Sequence, residues 1–269
     1  MKASIKPSEL EERTWSIVIA LPLFLFLVLF SEWTLVLAFF LLSFGSLREY
    51  GRLVYGKEEE IFFTGFSVVF LFLLYSSLIT VDYLTIFWLG YVLFLVLVVW
   101  SLKKPQKMLE RMAFCFLGLL YCSLFPFFWV KMGITYDRVS VVLFALPVWT
   151  NDICAYLVGK RWGKHKIVPQ ISMGKSWEGL VGGIGAATLV GLVLTASPIS
   201  FSLPQGLLSG LAIASVSFLG DIWESALKRR AGVKDSGNFL PGHGGVLDRF
   251  DSFFLAGPLV YLLRLSWGG

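Results

Sequence analysis

Asp152, Asp221, Asp235, Asp248 and Asp251 interrupt a chain that is otherwise mostly Leu, Val and Phe, and Lys228, Arg229 and Lys234 accompany them. Carboxylate oxygens are hard ligands of the kind Mg²⁺ prefers, while Lys and Arg carry fixed positive charge that suits phosphate oxygens. Gly242, Gly244 and Gly245 stand within the same stretch and let a backbone come close to a ligand. The chemistry these residue types share is the handling of a phosphate-rich molecule that carries a metal.

Spacing sharpens this reading. Asp221, Glu224, Ser225 and Lys228 stand at i, i+3, i+4 and i+7, so a helix carries them as one polar stripe. Such a stripe at the end of an apolar helix is expected to face a hydrated cavity, because ionisable groups at membrane depth are costly. The run Asp248-Arg249-Phe250-Asp251 opens the next helix after a glycine-rich turn, which can fold its acids back towards Asp221. A helix N-terminus that favours acids through its dipole accounts for Asp248 alone, but not for the matching stripe. A second polar segment, 151–179, places Asp152, Tyr156 and Gly159 at i, i+4 and i+7 and supplies Lys160, Arg161, Lys164, Lys166 and Lys175. Gly174-Lys175-Ser176 mimics the end of a phosphate-binding P-loop. Pro169 stands where the first glycine of that pattern belongs and no strand precedes it, so the segment is not one.

These residues must be positioned by membrane helices. Hydrophobic residues make up 57% of the 269, and the mean hydropathy is +0.76. Apolar runs near 15–31, 33–47, 61–80, 83–101, 112–130, 139–158, 177–196, 204–226 and 249–266 predict about nine transmembrane helices. A β-barrel requires alternation, whereas Leu21 to Phe30 and Tyr91 to Trp100 are continuously apolar. The fold class is therefore all-α, a polytopic integral membrane protein. Of the 23 Lys and Arg residues, only Lys131, Arg138 and Arg264 fall on the connections opposite the N-terminus. Retention of basic residues inside the cell then puts the N-terminus, and both polar segments, in the cytoplasm of a multi-pass protein of the cell (inner) membrane.

The chain divides by character into 1–137, with about five bulky aromatic spans, and 138–269, with about four spans and the cytoplasmic loops 159–176 and 227–248. Gly179, Gly182, Gly183, Ala186, Ala187 and Gly191 have the small-residue spacing of tight helix contacts. Trp88, Trp100, Trp129, Trp149, Trp162 and Trp267 are expected at the membrane interfaces. Cys115, Cys122 and Cys154 sit in apolar segments without metal-ligand spacing and read as packing residues. The net charge of +5 suits loops facing anionic lipid, with no argument for nucleic acid. The first apolar run lacks a cleavage site and reads as a retained anchor.

The run Ser225-x-Leu227-Lys228-Arg229-x4-Lys234-Asp235-x-Gly237-x2-Leu240-Pro241-x-His243-Gly244-Gly245-Val246-x-Asp248-Arg249-Phe250-Asp251 resembles the signature of the phosphatidate cytidylyltransferases, also called CDP-diacylglycerol synthases. Asn151-Asp152 with Ala155-Tyr156, and Ser172-Met173-Gly174-Lys175-Ser176-x-Glu178-Gly179, resemble the same family, so the likeness covers roughly 139–265. It implies attack by the phosphate of phosphatidic acid on the α-phosphorus of CTP, giving CDP-diacylglycerol and pyrophosphate. It also implies Mg²⁺, with room for a second metal or a monovalent cation. Asp221 and Asp248 are then the expected first ligands, with Asp152 and Asp251 next. Lys228, Arg229, Lys234 and Arg249 are expected on phosphates, Gly244 and Gly245 through their N–H groups, and Ser225, Asn151, Lys175 and Ser176 in substrate binding. His243 either donates to departing pyrophosphate or orders the turn. The expected partners are CTP, phosphatidic acid and membrane lipid, with a homodimer left open.

Two other readings compete. A CTP-dependent kinase of a lipid alcohol such as a polyisoprenol would use the same residue types but transfer the γ-phosphoryl group and release CDP. A transporter would explain buried acids and many helices, yet it calls for inverted repeats that the sequence does not display.

Overall fold

In the computed structural model, which describes residues 7–78, 83–101, 105–237 and 244–267, the architecture is helical, with non-helical connections such as 163–176 and 195–202. The order is α1 (Pro7–Phe30), α2 (Glu32–Ser76), α3 (Tyr83–Ser101), α4 (Pro105–Leu119), α5 (Phe125–Thr135), α6 (Arg138–Trp162), α7 (Trp177–Val190), α8 (Leu203–Arg230) and α9 (Leu247–Trp267). Four stretches, Leu109–Thr135, Arg138–Trp162, Trp177–Leu194 and Leu203–Arg230, are long and apolar enough to cross a membrane, and Val18–Phe30 and Phe63–Ser76 are shorter apolar helices. The molecule is thus the polytopic helical membrane protein that its composition requires.

The nine apolar runs map onto these helices with three physical differences, one being that the seventh leaves α7 for a 3-10 turn over Gly191–Leu194. The second and third runs lie in one element, α2, broken at Gly56, whose φ of 75° and ψ of 178° no helix contains. Glycine alone takes that backbone without a Cβ penalty. The fifth run continues α4 into α5 through a π-helical turn, Leu120–Leu124. Pro126 explains it, because proline lacks an N–H and its ring crowds the carbonyl four residues back, and the wider turn accommodates both.

Packing between α6, α7 and α8 depends on small residues. A Cβ on Gly183 would lie 2.7 Å from Asn151 Oδ1, one on Gly179 2.7 Å from the Ala155 carbonyl, and one on Gly210 2.7 Å from Thr188 Cα. Close approach of this kind is how membrane helices gain dispersion energy where no hydrophobic drive acts between them. Helix α9 runs through the middle of the bundle. Tyr121 donates to the Asp251 carbonyl at 2.9 Å and Trp129 Nε1 to the Phe253 carbonyl at 2.9 Å. Trp129 is fully buried and stacks on Phe253 at 3.9 Å. The interface position expected for it is therefore corrected: it is a core residue, and a backbone carbonyl satisfies its N–H. Cys115 and Cys122 are buried and, like Cys154, free thiols.

Side-chain contacts sort the connections into two ends. At one end Glu49 meets Ser236, Val246 and Leu247, Glu110 pairs with Arg230, and Lys175 pairs with Asp221. At the other, Arg264 approaches Asp137 at 3.8 Å and lies over Tyr136. The basic-rich connections thus meet at a single end of the bundle, the one that charge retention assigns to the cytoplasm.

Candidate active site

Helix α8 does carry its acids and Lys228 as one stripe, and its lower part reaches the start of α9. Lys228 Nζ lies 2.7 Å from Glu224 Oε2 and 2.6 Å from Asp248 Oδ1, with only 13% of the lysine side chain exposed. The other oxygen of Asp248, Oδ2, accepts from Ser236 N at 2.8 Å, Ser236 Oγ at 2.9 Å and Gly245 N at 2.7 Å. Both oxygens of Asp248 are therefore engaged. Charge-assisted bonds of this kind are short and strong, and here they tie the glycine-rich turn to α8. Gly245, expected to offer its N–H to a ligand, gives it to Asp248 instead. Gly244 adopts a φ of 84°, and a Cβ there would lie 2.6 Å from Asp248 Oδ2.

A second group of acids gathers where α6, α8 and α9 meet. A Cβ on Gly220 would lie 2.6 Å from the Asp251 carbonyl, so α8 and α9 cross in close contact beside Asp221. Asp251 is buried and feels the charges of Asp221, Glu224 and Asp152; Asp152 in turn feels Asp221. Asp152 keeps open surface although protein surrounds much of it. Its Oδ1 accepts from Asn151 Nδ2 at 3.3 Å and from Ser252 Oγ at 3.3 Å. Lys175 Nζ, with 9% of its side chain exposed, lies 2.9 Å from Asp221 Oδ1 and donates to Ser225 Oγ at 3.2 Å. Among the described residues no three His, Cys, Asp or Glu side chains stand close enough together to cage an ion by themselves. Mg²⁺ keeps waters and takes one or two carboxylates together with phosphate oxygens. The chemistry of the donor set fits such an ion: acids from three separate helices that repel one another.

Comparison with known proteins places the chain. Residues 11–267 match the model of the cytidylyltransferase family. The chain belongs to that family. It is 35% identical over 260 residues to a phosphatidate cytidylyltransferase of Staphylococcus haemolyticus (strain JCSC1435), covering 94% of this chain and 98% of that one. A phosphatidate cytidylyltransferase of Staphylococcus epidermidis (strain ATCC 35984) is 35% identical over 259 residues, with the same coverage. That of Staphylococcus aureus (strain COL) is 40% identical over 177 residues, 64% of this chain and 66% of the relative.

In this cytidylyltransferase family member the loop before α7 is built to deliver Lys175. Ile167 N donates to the Lys175 carbonyl at 3.2 Å and Trp177 N to the His165 carbonyl at 3.0 Å, closing a turn. His165 Nδ1 contacts Glu178 Oε1 at 2.6 Å. Ser176 is 2% exposed and its hydroxyl accepts from Gly179 N at 3.2 Å, which makes it the N-cap of α7. Its placement is that of a helix cap, away from open surface. Arg229 donates to the carbonyls of Ile171 at 3.0 Å and Val233 at 2.9 Å, so it fastens this loop to the end of α8. Lys234 and Arg249 are exposed at the same end. His243 lies outside the described residues.

Sequence reasoning passed over Glu49, Ser236 and Ser252. Glu49, on α2, accepts from Val246 N at 2.9 Å through Oε1, and from Leu247 N at 2.8 Å and Ser236 Oγ at 2.8 Å through Oε2. Nothing in the local run Arg48-Glu49-Tyr50 marks it as more than a charged residue in a connection. Only knowledge of which glycines it sits against could have found it.

Proposed function

We infer that this chain is a phosphatidate cytidylyltransferase: it joins CTP to phosphatidic acid, giving CDP-diacylglycerol and pyrophosphate at the cytoplasmic face of the membrane. The observation that carries the reading is the convergence of α6, α8 and α9 at the basic end of the bundle, where Ser252 Oγ lies 3.3 Å from Asp152 Oδ1, Gly220 packs on the Asp251 carbonyl, and Lys175 Nζ lies 2.9 Å from Asp221 Oδ1. A phosphate monoester has a second pKa near ~6, so the attacking oxygen is already largely charged at neutral pH and needs no base. The obstacle is repulsion between two anions. A bound Mg²⁺ would supply positive charge that offsets this repulsion.

The protein's own residues supply the rest. One or two of Asp221, Asp152 and Asp251 would hold the ion, with Asn151 and Ser252 orienting Asp152. Asp248 reaches that ion only by exchanging Lys228, and its role while paired is to hold the turn that begins α9. Lys175 neutralises Asp221 before the nucleotide arrives and then turns to its phosphates. Lys234 and Arg249, both exposed, take the outer phosphates. As the oxygen of phosphatidic acid bonds to the α-phosphorus, the bond to the bridging oxygen breaks and pyrophosphate carries its electrons away. The apolar outer face of α6 beside Asp152, with Ile153, Tyr156 and Leu157 each more than half exposed, suits the acyl chains.

Purified protein given phosphatidic acid, CTP and Mg²⁺ is expected to release pyrophosphate and CDP-diacylglycerol in equal amounts. Release of CDP with a newly phosphorylated lipid alcohol would overturn this in favour of a kinase, and solute flux without nucleotide turnover would favour a transporter.

A further inference from the structure

Helix α9 begins at Leu247. The first N–H groups of a helix have no partner within it and carry the positive end of its dipole, so some acceptor must meet them. Here the acceptor comes from the other half of the chain. The carboxylate of Glu49 receives the N–H of Val246 at 2.9 Å and that of Leu247 at 2.8 Å, and its Oε2 also receives the Ser236 hydroxyl at 2.8 Å. The fit is tight on both sides. A Cβ on Gly237 would lie 2.6 Å from Glu49 Oε1, and one on Gly245 would collide with Glu49 Oε2 and Ser236 Oγ. Two glycines of the polar turn therefore stand where this carboxylate must enter.

We propose that Glu49 is a positioning residue for cytidylyl transfer: reaching from α2, it sets the depth and rotation of the start of α9 and thereby the placement of Arg249 and Asp251 for CTP and its metal. The proposal rests on the cytidylyltransferase reading. Its logic is geometric. Arg249 and Asp251 lie two and four residues beyond the Leu247 N–H that Glu49 holds, so a shift or turn of the helix start moves both. Ser236 Oγ lies 2.8 Å from Glu49 Oε2 and 2.9 Å from Asp248 Oδ2, which links the same carboxylate to the Lys228 pair. Misplacement of reacting groups by about 1 Å costs on the order of 10²-fold in rate.

The test uses full-length protein in detergent or liposomes, with Glu49→Gln, Glu49→Ala, Ser236→Ala and the Glu49→Ala/Ser236→Ala pair. Glu49→Gln keeps one acceptor oxygen and turns an amide towards the Leu247 N–H; Glu49→Ala removes every contact. The expected order of loss in kcat/KM for CTP is about 10²-fold for Ala and less for Gln, with KM for CTP raised and KM for phosphatidic acid unchanged. Loss in the double variant is expected to fall short of the product of the single losses, because the two residues share one bond. A variant that merely lowers the folded fraction would reduce kcat alone, track thermal unfolding, and leave both KM values in place. That pattern, or a Glu49→Ala enzyme with wild-type KM and kcat, overturns the proposal. CTP affinity measured by calorimetry is expected to fall in step with the rise in KM; unchanged affinity in Glu49→Ala would also overturn it. A wild type that binds CTP but makes no CDP-diacylglycerol would instead defeat the reaction assigned above, leaving Glu49 to be judged on affinity.

Discussion

Asp221→Asn is expected to lower turnover of CTP and phosphatidic acid by about 10²–10³-fold, the range seen when one preorganised charge-stabilising group is removed from a reacting centre. The side chain of Asp221 is 41% exposed, and Lys175 at 2.9 Å is its paired cation. It is therefore the acid of the cluster best placed to exchange a lysine for a metal and a phosphate. Asn preserves the shape and can still accept from Lys175, so folding should hardly change and the loss should appear in catalysis. Raising Mg²⁺ should recover part of the rate, because the remaining acids, Asp152 and Asp251, still favour the ion. The check is steady-state kinetics across a Mg²⁺ series beside a thermal unfolding curve. Wild-type turnover in Asp221→Asn would remove this residue from the site.

Lys228→Met acts through a different quantity. Lys228 is the shared partner of Glu224 and Asp248, and the side chains of those acids are 1% and 6% exposed. Removing the cation strands charge away from water, which costs roughly 3–5 kcal/mol when one member of a buried pair is lost. The variant is therefore expected to unfold about 10 °C lower and to lose activity with it. Replacing Glu224 by Leu in the same molecule should restore part of the stability, since one of the stranded carboxylates is then gone. Asp248 would keep the N–H groups of Ser236 and Gly245. A Lys228→Met protein with unchanged unfolding temperature would show that the pair does not hold the turn.

These residues also show how far the sequence could be read. The stripe from Asp221 to Lys228 was legible because a helix repeats every 3.6 residues and the rest of α8 is apolar, so its polar positions stand out. Asp152 and Asp251 were legible for the same reason, as acids in helices that membranes otherwise keep uncharged. What periodicity could not supply was the partner of each group. Asp248 looks like a free ligand in sequence, yet its oxygens are engaged by Lys228, Ser236 and Gly245. Ser176 looks like the end of a phosphate loop, yet it caps α7. Glu49 lies 197 residues before Val246, and no local pattern joins them. The division of the chain by character rested on where polar residues enter the helices. Contacts such as Glu49 with Leu247 and Glu110 with Arg230 cross that division, and they depend on tertiary packing that composition does not encode.

The most direct test of the account is a Mn²⁺ titration, followed by electron paramagnetic resonance, of the purified protein with CTP present. Mn²⁺ stands in for Mg²⁺ because both favour oxygen ligands. The account predicts a nucleotide-dependent ion that wild type binds and that Asp221→Asn and Asp251→Asn each bind at least about tenfold more weakly, a loss of ~1.4 kcal/mol. Equal Mn²⁺ affinity in wild type and both variants would contradict it.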